Sequence, residues 1–381
     1  MTYITLIAPS YLPSRRANTF QVMKMAAAYV ELGHDVRMLV PLPKGHHPPE
    51  AETPPEWPRL AEHYGLTVAF EIEWLPSSGR QRGYDFGLRA AANAHNLEAD
   101  LVFTRHPQAA AAAGLRGIPT ILEIHDTPRG VTGPLLLRLF LRSFGARRVV
   151  AISQALLDDL ARDFRLAAPP FSMVERDGVD LERFADLPAP AVARAGLGLP
   201  EGFTAGYTGH LYAGRGIEVI LALAHRLPQV HFLLVGGREA DIDRVRAKAD
   251  GLDNVTLAGF VPNATLSMYQ AACNILLMPY DESIAASSGG DIARYLSPMK
   301  LFEYLASGRP ILSSNLPVLK EVLDDETAVL LPPRDVGAWA AALEGLAGDP
   351  ARRTRLGEAA RSMAAGYSWQ ARAQRILAGL G

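Results

Sequence analysis

The chain has one cysteine, Cys273, among 381 residues. That excludes an internal disulfide and agrees with a reducing compartment. No stretch approaches the roughly 18 to 20 continuous apolar residues that span a bilayer. The expectation is a soluble or only peripherally attached protein. Nor is there an excess of charge of one sign: 38 Lys and Arg stand against 40 Asp and Glu, a formal charge of −2. That is not the basic footprint of a nucleic-acid binder, so an anionic ligand must be held by a few local groups. No positive charge precedes the first apolar stretch, and Pro9 and Pro13 interrupt it, so the N-terminus reads as a first strand and not a signal peptide. There is no solenoid repeat and no convincing metal-ligand cluster, so neither metal nor cofactor is expected. The adjacent His46 and His47 lie in a Pro-rich stretch, 41–58, that reads as an exposed irregular excursion.

What is present is ample core material: 49% hydrophobic and 20% charged residues. At roughly 100 to 200 residues per domain, the length suggests two domains. Short apolar runs alternate with segments of helical period, the pattern of an α/β fold with parallel sheets covered by helices. The runs at 4–8, 36–40, 101–104, 120–124 and 148–152 form one set. Those at 203–207, 230–235, 255–257, 275–278 and 311–313 form another. Between the sets the chain turns to Pro, Gly and Ala, with a linker near 188–200 that would serve as a hinge. The expectation is two doubly wound, Rossmann-like domains, 1–185 and 186–365, with 366–381 returning to the first and a ligand cleft between them.

Five segments could carry chemistry. Thr208-Gly-His-Leu-Tyr-Ala-Gly-Arg-Gly follows a strand and opens a helix, so Gly209, His210 and Arg215 could cradle a diphosphate. Taken alone, such a loop reads as an ordinary glycine turn. In Ser297-Pro-Met-Lys-Leu-Phe-Glu, Ser297 or Ser-Pro starts a helix whose first N–H groups, at Pro298-Met299-Lys300-Leu301, face an anion. Lys300 and Glu303 are either a surface ion pair or a phosphate ligand and a ribose ligand. His125 and Asp126 close a strand at the edge where α/β sheets bind ligands, and could bond sugar hydroxyls. Arg15 and Arg16, followed by a helix start at Asn18, are equally anion ligands or surface residues. Pro134-Leu-Leu-Leu-Arg-Leu-Phe-Leu-Arg mixes apolar and basic residues as an interfacial membrane helix does, but reads first as core packing with a basic edge.

In this order the segments resemble the retaining glycosyltransferases of family four, the group 1 enzymes of GT-B fold. The resemblance covers nearly the whole chain: Gly33-His-Asp-Val, His125-Asp126, Val150-Ala-Ile-Ser153 and Gly178-Val-Asp-Leu-Glu-Arg-Phe184 in the first half. In the second half stand Gly209-His210 with Arg215-Gly216, then Val255-Thr-Leu-Ala-Gly-Phe-Val-Pro-Asn, Glu303 and Tyr367-Ser-Trp-Gln-Ala-Arg. Two positions depart: His210 replaces the first basic residue of the diphosphate loop, and Tyr295 the first of two glutamates.

The resemblance implies transfer of a sugar, with retention and without metal, from a nucleotide-diphosphate donor, first of all a UDP-sugar, to a hydroxyl acceptor. The product would be polysaccharide, glycolipid or glycoconjugate. It assigns Arg215, Lys300, His210 and the helix start after Ser297 to the diphosphate, and the backbone near Phe260 and Val261 to the base. Glu303 falls to the ribose and His125 to the sugar, with Arg15, Arg16, Asn18 and Asp126 on the acceptor side. Trp369 would be a packing anchor. The implied partners are the donor and a saccharide or lipid-linked acceptor, with no nucleic acid; the implied location is cytoplasmic, or peripheral at the inner face of a membrane. The rivals are a nucleotide-sugar epimerase, which would need carboxylates poised for proton abstraction, and a degenerate GT-B binder or partner subunit without turnover.

Overall fold

The computed structural model describes residues 1–42, 54–78, 84–285 and 290–380. The expected excursion at 41–58, with His46 and His47, falls mostly outside them. The chain forms two compact units, Met1–Arg176 with Trp369–Gly381, and Asp177–Ser368.

Among the described residues the first unit holds seven strands: β1 (Tyr3–Ile7), β2 (Asp35–Leu42), β3 (Glu71–Pro76), β4 (Leu101–Thr104), β5 (Thr120–Ile124), β6 (Ala146–Ala151) and β7 (Ser172–Val174). They form one parallel sheet in the order β3-β2-β1-β4-β5-β6-β7. The second unit holds β8 (Thr204–Thr208), β9 (His231–Val235), β10 (Val255–Gly259), β11 (Ile275–Met278), β12 (Ile311–Ser314) and β13 (Ala328–Leu331), parallel in the order β10-β9-β8-β11-β12-β13. Both sheets therefore run outward from a central pair, β1 beside β4 and β8 beside β11, where the winding reverses. At such a reversal the loops leaving the C-terminal strand ends diverge and open a crevice for ligand. The central strands β4, β5, β8 and β11 are buried along their whole length, and all but a few of their residues, Glu123 and threonines among them, are apolar or small.

The division falls at Arg176/Asp177, not at 185/186. Val179 and Phe184 are buried in the second unit's core with Leu276, Leu301 and Leu305, so apolar packing assigns 177–185 to that unit. The proposed hinge at 188–200 is a helix, Pro190–Leu197, started by Pro190 and closed by Gly198 at φ 64°. Arg194 of that helix is buried and donates to Ala272 O at 2.8 Å and Asn274 Oδ1 at 3.1 Å, fixing it to the second sheet. The C-terminal return begins at Trp369, which is buried at the head of helix Trp369–Leu377 in the first unit.

Candidate functional site

In the second unit, β8 runs into a loop that ends at Gly216, the N-cap of helix Ile217–Arg226. Gly209 and Gly216 have φ of 130° and 77°. A Cβ on Gly216 would lie 1.8 Å from Pro279 O, and one on Gly209 would lie 2.7 Å from Lys300 Nζ. Only glycine lets the loop backbone come this close to the neighbouring loop and to the lysine. Thr208 N donates to the Tyr304 hydroxyl at 2.8 Å, which ties the loop to helix Met299–Ser307.

Lys300 sits in the first turn of that helix, its Nζ 3.6 Å over the Tyr207 ring and 5.4 Å from the Tyr280 ring. Part of its stem meets solvent, but the ammonium nitrogen is buried and makes no hydrogen bond. Burial, then the charge of Arg215, holds its pKa well below that of an ordinary lysine. Arg215 lies 5.0 Å over the Tyr280 ring, and its Nε is likewise buried without a partner. His210 stacks on Tyr212 at 4.7 Å, and Arg238 covers the same Tyr212 ring at 5.2 Å. Burial, reinforced by Arg215, Lys300 and Arg238, holds the His210 pKa down to about 4, so the ring is neutral at pH 7. A helix N-terminus, a glycine loop and cationic groups with unused donors make this the candidate anion site.

The structure decides between readings that the sequence leaves open here. The N-cap is Pro298, and the Ser297 hydroxyl is turned back to accept from Asp177 N at 3.1 Å. Glu303 does not pair with Lys300. Its Oε2 accepts from Gln270 Nε2 at 3.1 Å and its Oε1 lies 3.8 Å from Arg183 Nη1. Arg183 also donates to Asn263 O, and Gln270 to Thr208 Oγ1 at 3.2 Å. The carboxylate is thus held from behind by two residues that sequence reading passed over. Met299 and Leu301 flank Lys300 in the first turn, while Phe260 and Val261 follow β10, half-buried. Tyr295 precedes the helix, with the Arg294 guanidinium 5.7 Å from its ring.

In the first unit, His125 follows β5 and its Nε2 bonds Glu123 Oε1. Glu123 is fully buried and is the hub of a network: Gln21 Nε2 donates to Oε1 at 2.7 Å, Arg372 Nη2 donates to Oε2 at 2.7 Å, and Arg105 lies 4.0 Å away. Arg372, from the C-terminal helix, also donates to Arg176 O at 2.7 Å and Glu175 O at 3.1 Å. Glu123 lies well below the usual carboxylate range: burial opposes ionisation, and Arg372 with His125 and Arg105 outweighs it. Burial and Arg105 hold His125 down to about 4. Sequence reading had the signal for the hub, a glutamate inside the apolar strand Thr-Ile-Leu-Glu-Ile, and gave it no role.

His125, Asp126, Arg105 and Arg129 line a cavity of about 300 Å³ at the end of β5. A smaller one, about 160 Å³, lies at the β1/β4 reversal and is lined by Ser10, Asn18, Thr104 and Arg105. Arg15 and Arg16 are exposed and line neither. Among the described residues, no group of three or more His, Cys, Asp or Glu is placed to hold a metal.

Twin doubly wound parallel sheets, each reversing at its centre, define a Rossmann-like α/β protein. Residues 20–183 match the description Glycosyltransferase Family 4, and residues 202–349 match Glycosyl transferases group 1. The chain belongs to this family. It is 30% identical over 260 residues to D-inositol 3-phosphate glycosyltransferase from Mycobacterium leprae, which covers 62% of this chain and 56% of that protein. It is 29% identical over 235 residues to phosphatidyl-myo-inositol mannosyltransferase from Mycolicibacterium smegmatis, covering 59% and 56%. The chain thus spans little more than half the length of the curated relatives it matches. Among solved structures it is similar to Anabaena HepE in complex with UDP and glucose, with a TM-score of 0.74, 17% identity and coverage of 100% and 99%. That likeness establishes the GT-B fold.

Proposed function

We propose that the protein transfers a sugar from a UDP-sugar to a hydroxyl acceptor, with retention at the anomeric carbon. One observation carries the reading: the buried, unpartnered donors Lys300 Nζ and Arg215 Nε beside the Gly209 backbone. Two cations held together without a counter-ion are costly, and a diphosphate supplies the missing charge. Family membership and the relatives' names support glycosyl transfer, and HepE, with UDP and glucose bound, supports the donor class.

In this reaction the bond from the anomeric carbon to the diphosphate breaks as the acceptor oxygen bonds that carbon on the same face. The acceptor proton passes to the departing phosphate oxygen. The catalytic requirement is stabilisation of the charge growing on the leaving group, the task of Lys300, Arg215 and the helix N-terminus. No metal is called upon, because these groups supply the positive charge. His210 is neutral in the free protein and gives one hydrogen bond; the phosphate raises its pKa and draws a proton onto it. Glu303, its orientation set by Gln270 and Arg183, accepts from the ribose hydroxyls. His125, fixed by Glu123, serves the sugar.

Proton NMR of the product made from a UDP-sugar in the presence of EDTA tests the reading. An anomeric coupling that matches the donor's configuration supports it. An inverted product, or turnover that stops with EDTA and returns with magnesium, refutes the mechanism. Binding of UDP with neither transfer nor donor hydrolysis identifies a binding protein instead.

A further inference from the structure

The buried Glu123 carboxylate stands between two groups that can each balance its charge. On one side Arg372 Nη2 donates to Oε2 at 2.7 Å, and neither side chain meets solvent. On the other, His125 Nε2 bonds Oε1, and its imidazole is 22% exposed where it lines the cavity at the end of β5. A buried carboxylate needs a positive partner, and either guanidinium or imidazolium can serve. Arginine keeps its proton at any pH the fold survives, whereas imidazole gives one up near neutrality, so Arg372 takes the role. Its position is secured apart from Glu123. Arg375 of the same helix grips Glu175 through bonds of 2.8 and 2.9 Å, and Arg148 Nη2 donates to Ala378 O at 2.8 Å just beyond the helix. Two other charged groups flank the ring: Arg105, which donates to Gln21 Oε1 at 3.1 Å, and Asp126, which pairs with Arg129 at 2.8 Å. An ionised carboxylate only accepts, so a neutral His125 carries its proton on Nε2. Nδ1 is then bare, and among the described residues nothing bonds it.

We propose that Arg372 is a positioning residue for the transfer: by balancing Glu123 it keeps His125 neutral, with the proton on Nε2 and Nδ1 as an acceptor for a sugar hydroxyl. A bare ring nitrogen selects an O–H group and rejects a phosphate or carboxylate oxygen, so anions are left to the glycine loop and helix start of the second unit. Burial, then Arg105, opposes charge on the ring; Arg372 acts chiefly on Glu123, where it is the first of the charges that keep the carboxylate ionised. Without Arg372 the carboxylate would draw a proton onto His125, and Nδ1 would change from acceptor to donor. That a sugar hydroxyl meets Nδ1 rests on the glycosyl-transfer reading; the state of the ring does not.

The test is nitrogen-15 NMR of the full chain labelled at histidine, with the His125 signals assigned by their loss in His125→Asn. The wild-type ring should be neutral with Nε2 protonated from about pH 8 down to about pH 5. In Arg372→Met the ring should take up a proton at pH 7, and in Arg372→Lys it should stay neutral. Arg372→Gln, which can keep hydrogen bonds to Glu123 and to Arg176 O without the charge, makes the same comparison if Arg372→Met does not fold. The kcat for transfer should fall roughly tenfold or more in the uncharged variants with UDP affinity unchanged, and Arg372→Lys should recover most of it. A wild-type ring that is charged at pH 7 or carries its proton on Nδ1 overturns the proposal. So does a ring, or a kcat, that loss of the Arg372 charge leaves unchanged, since a purely structural arginine would lower only the melting temperature. The predicted ring in a protein that transfers no sugar from any UDP-sugar would leave the Arg372 effect on His125 standing and defeat the glycosyl-transfer reading alone.

Discussion

Lys300→Met should strengthen or spare the fold while it cripples diphosphate binding. The ammonium nitrogen is buried, has no hydrogen-bond partner and stands beside Arg215. An ion in that position costs several kcal/mol of desolvation. Contact with the Tyr207 ring at 3.6 Å returns about 2 kcal/mol of it. Methionine keeps the unbranched stem and a favourable sulfur contact with the ring and removes the charge. The melting temperature should hold or rise, by roughly 2–4 °C per kcal/mol in a unit of this size. Against that, one charge-assisted contact to the diphosphate is worth about 1.5–3 kcal/mol, a roughly ten- to hundredfold weaker affinity for UDP. The pH profile carries the same signature. Because the folded lysine has a pKa below its unfolded value, the unfolded chain binds more protons in the interval between the two. Wild-type stability therefore rises with pH through that interval, and the variant lacks the rise. Calorimetry of unfolding and titration with UDP measure both arms. A lower melting temperature with unchanged UDP affinity would refute the argument, since Lys300 would then be a structural cation.

Three further outcomes follow from the same geometry. UDP should bind with proton uptake, since His210 near 4 in the free protein must rise beside a phosphate. Affinity then increases as pH falls toward 5, and calorimetry in buffers of different ionisation enthalpy should lose most of that uptake in His210→Asn. Glu123→Gln leaves Arg372 buried without its counter-ion and should cost about 3–5 kcal/mol in thermal unfolding. Glu123→Met/Arg372→Met should cost less. The wild type should lose this part of its stability only as acid protonates Glu123, below the unfolded carboxylate pKa. Arg183→Ala should weaken uridine and UDP alike by freeing Glu303, and by less than Glu303→Ala, whereas Lys300→Met should weaken only UDP.

Where a signal was local, the chain could be read directly. The central strands are short, mostly apolar runs, and the candidate anion site lies in two short segments, 208–216 and 297–303, each of which places its own loop and helix start. The strands that escaped notice are β3, β7 and β13, all at sheet edges. In β3, Glu71 and Glu73 point to an exposed side and ion-pair with Arg37, which breaks the apolar run; β7 is only three residues long. Pairings distant in sequence escaped as well. Arg372 is 249 positions from Glu123 and Arg183 is 80 from Asn263, distances over which periodicity and spacing carry no information. The boundary was misplaced for a related reason: Gly178 to Phe184 follows the first set of strands in sequence, yet Val179 and Phe184 find their apolar partners in the second unit.

The most direct test of the central claim is titration of the full chain with UDP in EDTA, beside Arg215→Ala and Glu303→Ala. The account predicts saturable binding without metal, with the phosphate contribution lost in the first variant and the ribose contribution in the second. Binding that requires magnesium, or that survives both substitutions, would contradict it.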